Sequence, residues 1–324
     1  MPSVLQQAIR EFQLLNITSP DIGDSFFQKF GLGNTTFVID SPFERFDYYE
    51  SLLEQLQKED KIKYEQIHKG TPFYFLGWTA FDLGNYEKAV FYMDAAISED
   101  IRKDPVSWLD NPAPQFLLLN SGGGAAIRIT NILKEKVEKE LSIFNSKFLC
   151  KISINDFVEK FVKVLLINKK ENRSIITALY SFILEYEDRE NELKLRSVEG
   201  GSMESILTFL FKGGLIFESL LKFLYPSCKN GTLNDVFKLR DFKNDFSLTS
   251  VKTSAVAIKD IISSISMDDQ QTAFNTINKI RNTSGHNLVW DDAFKDPNQF
   301  KKIYNQQINA IFLLIQNKFL INRK

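Results

Sequence analysis

The sequence predicts an all-α protein, and three observations support this fold class. Pro and Gly are sparse, with 9 and 15 residues in a chain of 324. Phe occurs 29 times and recurs with Leu and Ile at the three- and four-residue spacing of amphipathic helices. The alternation of Val and Thr that would indicate strands is rare. We expect two domains: a helical domain over residues 1–186 and a compact helical bundle over residues 187–324.

Composition limits the classes of function. The net charge is −1, so no overall basic field indicates nucleic-acid binding, and any RNA contact requires a local patch. Cys150 and Cys228 are isolated in the sequence, which excludes a disulfide framework and indicates a reducing compartment. Neither a signal peptide nor an apolar run near the ~18 residues of a membrane span is present. We therefore expect a cytoplasmic protein without a membrane partner.

The first domain is predicted to open with helices over residues 4–15, 21–30 and 43–57, the last after the start signal Ser41-Pro42. His68 is expected at a helix end, exposed or capping. Residues 70–101 then contain small residues and a turn at regular positions: Leu76-Gly77, Leu83-Gly84-Asn85-Tyr86, Ala89 and Ala96. This stretch is similar to a tetratricopeptide repeat. The resemblance implies two antiparallel helices that pack closely at Gly77, Ala89 and Ala96.

The middle of the chain allows two interpretations. Residues 112–114 are predicted to break the chain before residues 116–119 and the glycines of residues 122–124. A strand, this glycine loop and a helix would form a phosphate cradle; the alternative is small residues at a tight helix crossing. Helices are expected over residues 127–141, 156–166 and 174–186, with turns at Asn145 and Asn155. The charged run 185–196, a solvated helix or a hinge, supplies the predicted domain boundary.

The second domain is predicted to contain four or five helices. The first spans residues 203–224 and ends at Tyr225-Pro226. The pair Gly213-Gly214 inside it weakens a helix, so we expect a close approach or a kink there. A short helix or loop over residues 233–239, an antiparallel pair over 250–265 and 268–281, and a last helix over 296–319 complete the bundle.

One short segment, residues 279–290, contains the candidate site. Arg281 is near the end of the penultimate helix, Asn282 follows it, and His286 lies five residues after Arg281. This spacing resembles the Arg–x(4–6)–His motif of HEPN domains, helical bundles that include many metal-independent endoribonucleases. The resemblance implies an active site shared between two copies of the bundle, and hence a homodimer.

The residue types suit RNA cleavage. Histidine transfers protons near neutral pH, and arginine offers a charged planar fork to phosphate oxygens. Asn282 can hold the phosphate, a sugar hydroxyl or the histidine. Glu218 interrupts the apolar stripe of residues 203–224, where the resemblance implies an acidic residue near the motif. We expect Glu218 to pair with Arg281; the alternative is an exposed pair with Lys222 four residues on.

The sequence therefore predicts a cofactor-free and metal-independent endoribonuclease that resembles prokaryotic defence and toxin effectors. The predicted catalytic residues are Arg281, His286, Asn282 and Glu218. The predicted substrate-binding residues are Lys279, Thr283, Ser284 and Lys222. The first domain would bind a protein or nucleotide regulator. Two alternatives remain: a non-catalytic interaction or nucleotide-binding scaffold, and a less favoured metal site at His286, Asp291 and Asp292.

Overall fold

The computed structural model describes residues 2–19, 21–31, 41–120, 127–196, 201–246, 270–284 and 296–320. These residues form helices, turns and loops, and no strand occurs among them. The predicted all-α class is therefore confirmed for this part of the chain. The chain divides into two compact units, Met1–Lys134 and Glu135–Lys324. No helix in the described part is both long enough and apolar enough to cross a membrane.

Sixteen α-helices are described. Up to residue 120 they are α1 (Pro2–Leu14), α2 (Asp21–Lys29), α3 (Pro42–Glu59), α4 (Lys61–Gln66), α5 (Gly70–Asp82), α6 (Tyr86–Lys103) and α7 (Pro112–Leu117). From residue 127 they are α8 (Ile127–Phe148), α9 (Ile154–Phe157), α10 (Lys163–Asn168), α11 (Lys170–Leu195), α12 (Glu204–Leu224), α13 (Leu233–Lys238), α14 (Arg240–Phe246), α15 (Gln270–Ser284) and α16 (Pro297–Ile315). A π-helical segment, Val158–Val162, joins α9 to α10, and another, Gln316–Leu320, extends α16.

Helix starts follow the local signals in the sequence. The Ser41 side chain accepts a hydrogen bond from the Glu44 amide at 3.4 Å, and Pro42 occupies the first turn of α3. The Asp296 carboxylate accepts one from the Asn298 amide at 2.9 Å at the start of α16. Each cap satisfies an amide that the helix leaves without an internal partner. Both predicted helix starts are confirmed.

The predicted helix pair over residues 70–101 is present as α5 and α6. Gly84 forms the turn with a φ of +72°, a conformation that glycine adopts without strain. A Cβ added at Gly77 would lie 3.0 Å from the carbonyl oxygen of Ala89, so the two helices pack closely where the sequence predicts small residues. The helix pair is confirmed, and its membership of the tetratricopeptide family stays a prediction.

The structure contradicts three local expectations between residues 110 and 155: a break at residues 112–114, a strand over residues 116–119, and turns at Asn145 and Asn155, which both lie in helices. Pro112 begins α7 instead of breaking the chain, because proline fits the first helical turn, where no amide donor is required. Phe116 is therefore helical and not part of a strand, which removes the strand that a phosphate cradle would need. Residues 122–124 lie outside the described residues. Asn145 lies within α8, and its side chain bonds the backbone of Ile152 at 2.9 and 3.0 Å instead of forming a turn.

Helix α12 lies at the centre of the second unit, in contact with α11, α15 and α16. Phe182 of α11 stacks on Phe209 of α12 with ring centroids 4.5 Å apart. Tyr186 stacks on Tyr304 of α16 at 3.9 Å. The predicted boundary after residue 186 thus lies inside α11, whereas the two units divide between residues 134 and 135. The charged run is the partly solvated end of a helix whose apolar side chains are packed.

Candidate functional site

The candidate site lies where α12 and α15 cross. A Cβ added at Gly214 of α12 would lie only 2.7 Å from the Cβ of Arg281 on α15. A Cβ at Gly213 would meet Phe182 at 2.7 Å and the Gln307 side chain at 2.9 Å. The predicted close approach at this glycine pair is therefore present, and α12 continues through it as one helix. It brings Arg281 against α12, one turn from Glu218.

Glu218 binds two cations at this crossing. Its Oε2 accepts a hydrogen bond from Arg281 Nε at 2.6 Å, and its Oε1 contacts Lys222 Nζ at 2.7 Å. The residue is 8% exposed. The contact with Arg281 that the sequence predicts is present, together with the alternative contact to Lys222. Glu218 is therefore not on an exposed edge.

The neighbouring Lys222 and Arg281 keep Glu218 ionised. Burial alone would raise the pKa of this carboxyl group, but the hydrogen bonds from Lys222 and Arg281 outweigh burial and hold the pKa below its ordinary value. A carboxylate with two charged donors orients both of them. Glu218 thus fixes the position of the Arg281 guanidinium at neutral pH.

A cavity of about 400 Å³ opens beside this cluster. Its lining residues come from α12, α13, the turn before α13, and α15: Glu218, Lys222, Gly231, Thr232, Leu233, Arg281 and Asn282. The Arg281 side chain is 29% exposed and the Lys222 side chain 28%. Among the described residues Arg281 is held through Nε alone, so its two terminal nitrogens remain available for hydrogen bonds. Two cations and one carboxylate give the cavity a net positive charge.

Two polar residues of this site were not found from the sequence: Asn278, which hydrogen-bonds the cavity-lining Asn282, and Thr232, which lines the cavity. Asn282 Nδ2 donates to Asn278 Oδ1 at 3.3 Å. Asn278 is fully buried, and its own Nδ2 has no hydrogen-bond partner among the described residues. The spacing of four residues between these two asparagines is the signal that could have identified Asn278. The second is Thr232, which precedes α13, forms a reciprocal capping box with Asp235 and lines the cavity.

The other predicted site residues are distributed as follows. Lys279 is half-buried on α15 and is not among the cavity-lining residues that the structure describes. The backbones of Thr283 and Ser284 form the end of α15. Their side chains lie outside the described residues, as do His286, Asp291 and Asp292 in full. Across the described ranges, no three His, Cys, Asp or Glu side chains are grouped so that they could hold a metal ion.

His68 is buried, contrary to the exposed or capping position expected from the sequence. It is 4% exposed and lies between two carboxylates: Nδ1 is 2.7 Å from Asp24 Oδ1, and Nε2 is 3.2 Å from Asp100 Oδ1. Burial would lower the pKa of His68, but the hydrogen bonds to Asp100 and Asp24 raise it to about 9. Gly70 leaves the space for this arrangement, because a Cβ there would lie 2.6 Å from the imidazole.

Comparison with known proteins does not assign this site. No protein-family model matches the chain, and no curated protein or solved structure is significantly similar to it. A functional assignment therefore depends on the residues and on their geometry.

Proposed function

We propose that this protein is a metal-independent endoribonuclease of the HEPN type, acting as a homodimer. The observation that carries the proposal is the anchored guanidinium. Glu218 holds Arg281 by Nε beside a positively charged cavity, and the terminal nitrogens have no partner among the described residues. A guanidinium in this state suits a phosphate, because two parallel donors match two phosphate oxygens.

The proposed reaction is attack of a ribose 2′-oxygen on the adjacent phosphorus. The 2′-OH loses its proton to a base, the bond from phosphorus to the 5′-oxygen breaks, and that oxygen receives a proton. The products are a 2′,3′-cyclic phosphate and a 5′-hydroxyl. Arg281 would stabilise the charge that develops on the phosphate oxygens. The imidazole of His286 is the proton carrier, with a second His286 from the other subunit completing the acid–base pair.

The remaining residues have supporting roles in this proposal. Glu218 orients Arg281 and does not contact the substrate. Lys222 and Asn282 line the cavity and would bind phosphate or ribose oxygens. Lys279, Thr283 and Ser284 stay predicted substrate contacts. By its resemblance the protein would act as a defence or toxin effector, with the N-terminal helices binding a regulatory protein or nucleotide.

The test is cleavage of end-labelled single-stranded RNA in EDTA. We expect wild type to release fragments with 2′,3′-cyclic phosphate ends, and Arg281→Ala and His286→Ala to be at least about 100-fold slower. Arg240→Ala is the matched control, since Arg240 is an exposed arginine of the same unit. Its rate should equal that of wild type. Absence of cleavage by wild type, or equal rates for all four proteins, would contradict the proposal.

The dimeric site has its own test. If each site needs two copies of the chain, the specific activity must fall on dilution below the dimer dissociation constant measured by sedimentation velocity. A constant specific activity across that transition would show that one copy suffices.

One observation favours a second candidate, a non-catalytic scaffold. The Glu218–Arg281 contact joins two tightly packed helices, as a structural ion pair does. In that case Arg281→Ala would destabilise the unit and no RNA cleavage would be found.

A further inference from the structure

A second and larger cavity lies in the same unit, between the start of α11 and the outer face of α12. Its volume is about 940 Å³, within the range of sites for small molecules. Lys222 lines this cavity and also the cavity beside Arg281. Apart from Lys222, no residue that lines the larger cavity takes part in the proposed cleavage reaction.

The wall formed by the two helices is apolar. Ile175 of α11 and Ile216 of α12 are buried, and the Phe223 ring is half-exposed. Leu215, a large apolar residue, is 41% exposed here. Phe223 is held on one side by Phe319, with ring centroids 6.2 Å apart and planes within 4°. A ring fixed in this way offers a stacking surface at little cost in side-chain entropy.

The polar groups of the cavity are mainly basic. Four lysines line it, with Glu171 as the only lining carboxylate among the described residues: Lys169, Lys212, Lys222 and Lys229. Lys212 binds Glu185, and Lys222 binds Glu218. Lys169 and Lys229 have no ion-pair partner in the described part of the chain. Charge complementarity therefore favours an anionic ligand.

Uncharged hydrogen-bonding groups further restrict the chemical class of ligand that fits this cavity. Asn168 ends α10, Asn172 lies in the first turn of α11, and Ser219 is exposed on α12. Asparagine amides present a donor and an acceptor side by side, which matches the edge of a nucleobase. A fatty acid would leave these amides unpaired and would use only one of the lysines.

We propose that this cavity binds a nucleotide. The base lies on the apolar wall against Phe223, with its edge on the asparagine amides, and the phosphates contact the lysines at the rim. The inference does not rest on the proposed ribonuclease activity, since binding can be measured without RNA. It has one consequence for the neighbouring site: a bound phosphate competes with Glu218 for Lys222.

The experiment is titration calorimetry of the full chain with ATP as the probe. We expect saturable binding with one ATP per chain. Adenosine should bind about 10-fold or more weakly because it lacks the phosphates, and inorganic triphosphate should also bind weakly because it lacks the base. Laurate, tested in parallel, should not bind.

Variants locate the binding. The double change Lys169→Glu and Lys229→Glu should weaken ATP binding about 10- to 100-fold. Lys302→Glu is the matched control: this lysine is exposed on α16 and does not line the cavity, so affinity should be unchanged. Ser219→Trp fills the cavity from an exposed position and should abolish binding. Glu218→Gln releases Lys222 and should tighten ATP binding about 3-fold.

Three results would overturn the proposal. The first is no ATP binding by wild type up to ~1 mM. The second is equal affinity for wild type, Ser219→Trp and the double lysine variant. The third is binding of laurate or inorganic triphosphate as tight as that of ATP. Melting curves accompany each titration, and the exposed positions of Ser219, Lys169 and Lys229 leave the core packing unchanged.

Discussion

Two ionic clusters, one in each unit, are built from similar groups but differ in how completely they are enclosed. In the first, His68 lies between Asp24 and Asp100, and both ring nitrogens are engaged. Lys103 binds the other oxygen of Asp24. In the second, Glu218 holds two cations whose side chains remain more than a quarter exposed beside a cavity.

This difference separates a structural role for the first cluster from the anion-binding role that we propose for the second. A buried charge network whose groups are all paired stabilises one arrangement and leaves no donor for a ligand. The Glu218 cluster leaves guanidinium nitrogens available at a cavity, which is the arrangement that recognition of an anion requires. The perturbed pKa of His68 therefore reports structure, although perturbed groups often mark active sites.

The largest expected effect is the removal of His68. His68→Leu would leave the carboxylates of Asp24 and Asp100 without their shared partner, and we expect a loss of about 3–5 kcal/mol in the free energy of unfolding. Chemical denaturation of the full chain, followed by fluorescence, measures this loss. Lys61→Ala is the control, because its pair with Glu65 is solvent-exposed and should contribute less than about 0.5 kcal/mol. A loss below about 1 kcal/mol for His68→Leu would remove the contrast between the two clusters.

The next effect concerns the helix crossing that places Arg281. Gly214→Ala puts a methyl group 2.7 Å from the Arg281 Cβ, so α12 and α15 must separate. We expect a loss of about 1–3 kcal/mol in the free energy of unfolding. Ser219→Ala, on the exposed face of the same helix, is the control and should be neutral within about 0.5 kcal/mol. If Gly214→Ala and Ser219→Ala unfolded at the same denaturant concentration, the packing of α12 against α15 would not require a glycine at position 214.

The third effect is a pH dependence specific to the enclosed cluster. The folded-state pKa of His68 is about 9, above the value near 6.5 of an unfolded chain. Stabilisation by the protonated ring is therefore complete below about pH 6.5 and is lost as the pH rises through about 9. Between these values we expect the stability advantage of wild type over His68→Leu to fall by about 1.4 kcal/mol per pH unit. Denaturation curves at pH 6, 7.5 and 9.5 measure it, and a constant difference would contradict the assigned protonation.

The sequence predicts these two clusters to different degrees, for a physical reason. Helix starts such as Ser41-Pro42 depend on neighbours within four residues, and they are confirmed. The partners of His68 lie 44 and 32 residues away in the chain, so no local pattern reveals its burial. The pairing of Glu218 could be predicted from the sequence, because a lone carboxylate in an apolar helical stripe requires a cation. Thr232 was missed, since its place at the cavity depends on how α12, α13 and α15 pack.

The smallest expected effect tests the open cluster itself. Glu218→Gln removes one charge, but Arg281 and Lys222 are each exposed enough to be hydrated, so we expect a loss of only about 1 kcal/mol in the free energy of unfolding. RNA cleavage should fall more steeply than stability, because the guanidinium loses the carboxylate that orients it. The measurement pairs denaturation curves with cleavage rates at a temperature where both proteins are folded. Lys194→Gln, which breaks the ion pair between the exposed Lys194 and the half-buried Glu190, is the control for removing an ion pair outside the cavity beside Arg281. If Glu218→Gln lost as much stability as His68→Leu, the Glu218 cluster would have a structural role like that of the His68 cluster. The non-catalytic scaffold would then be the better assignment.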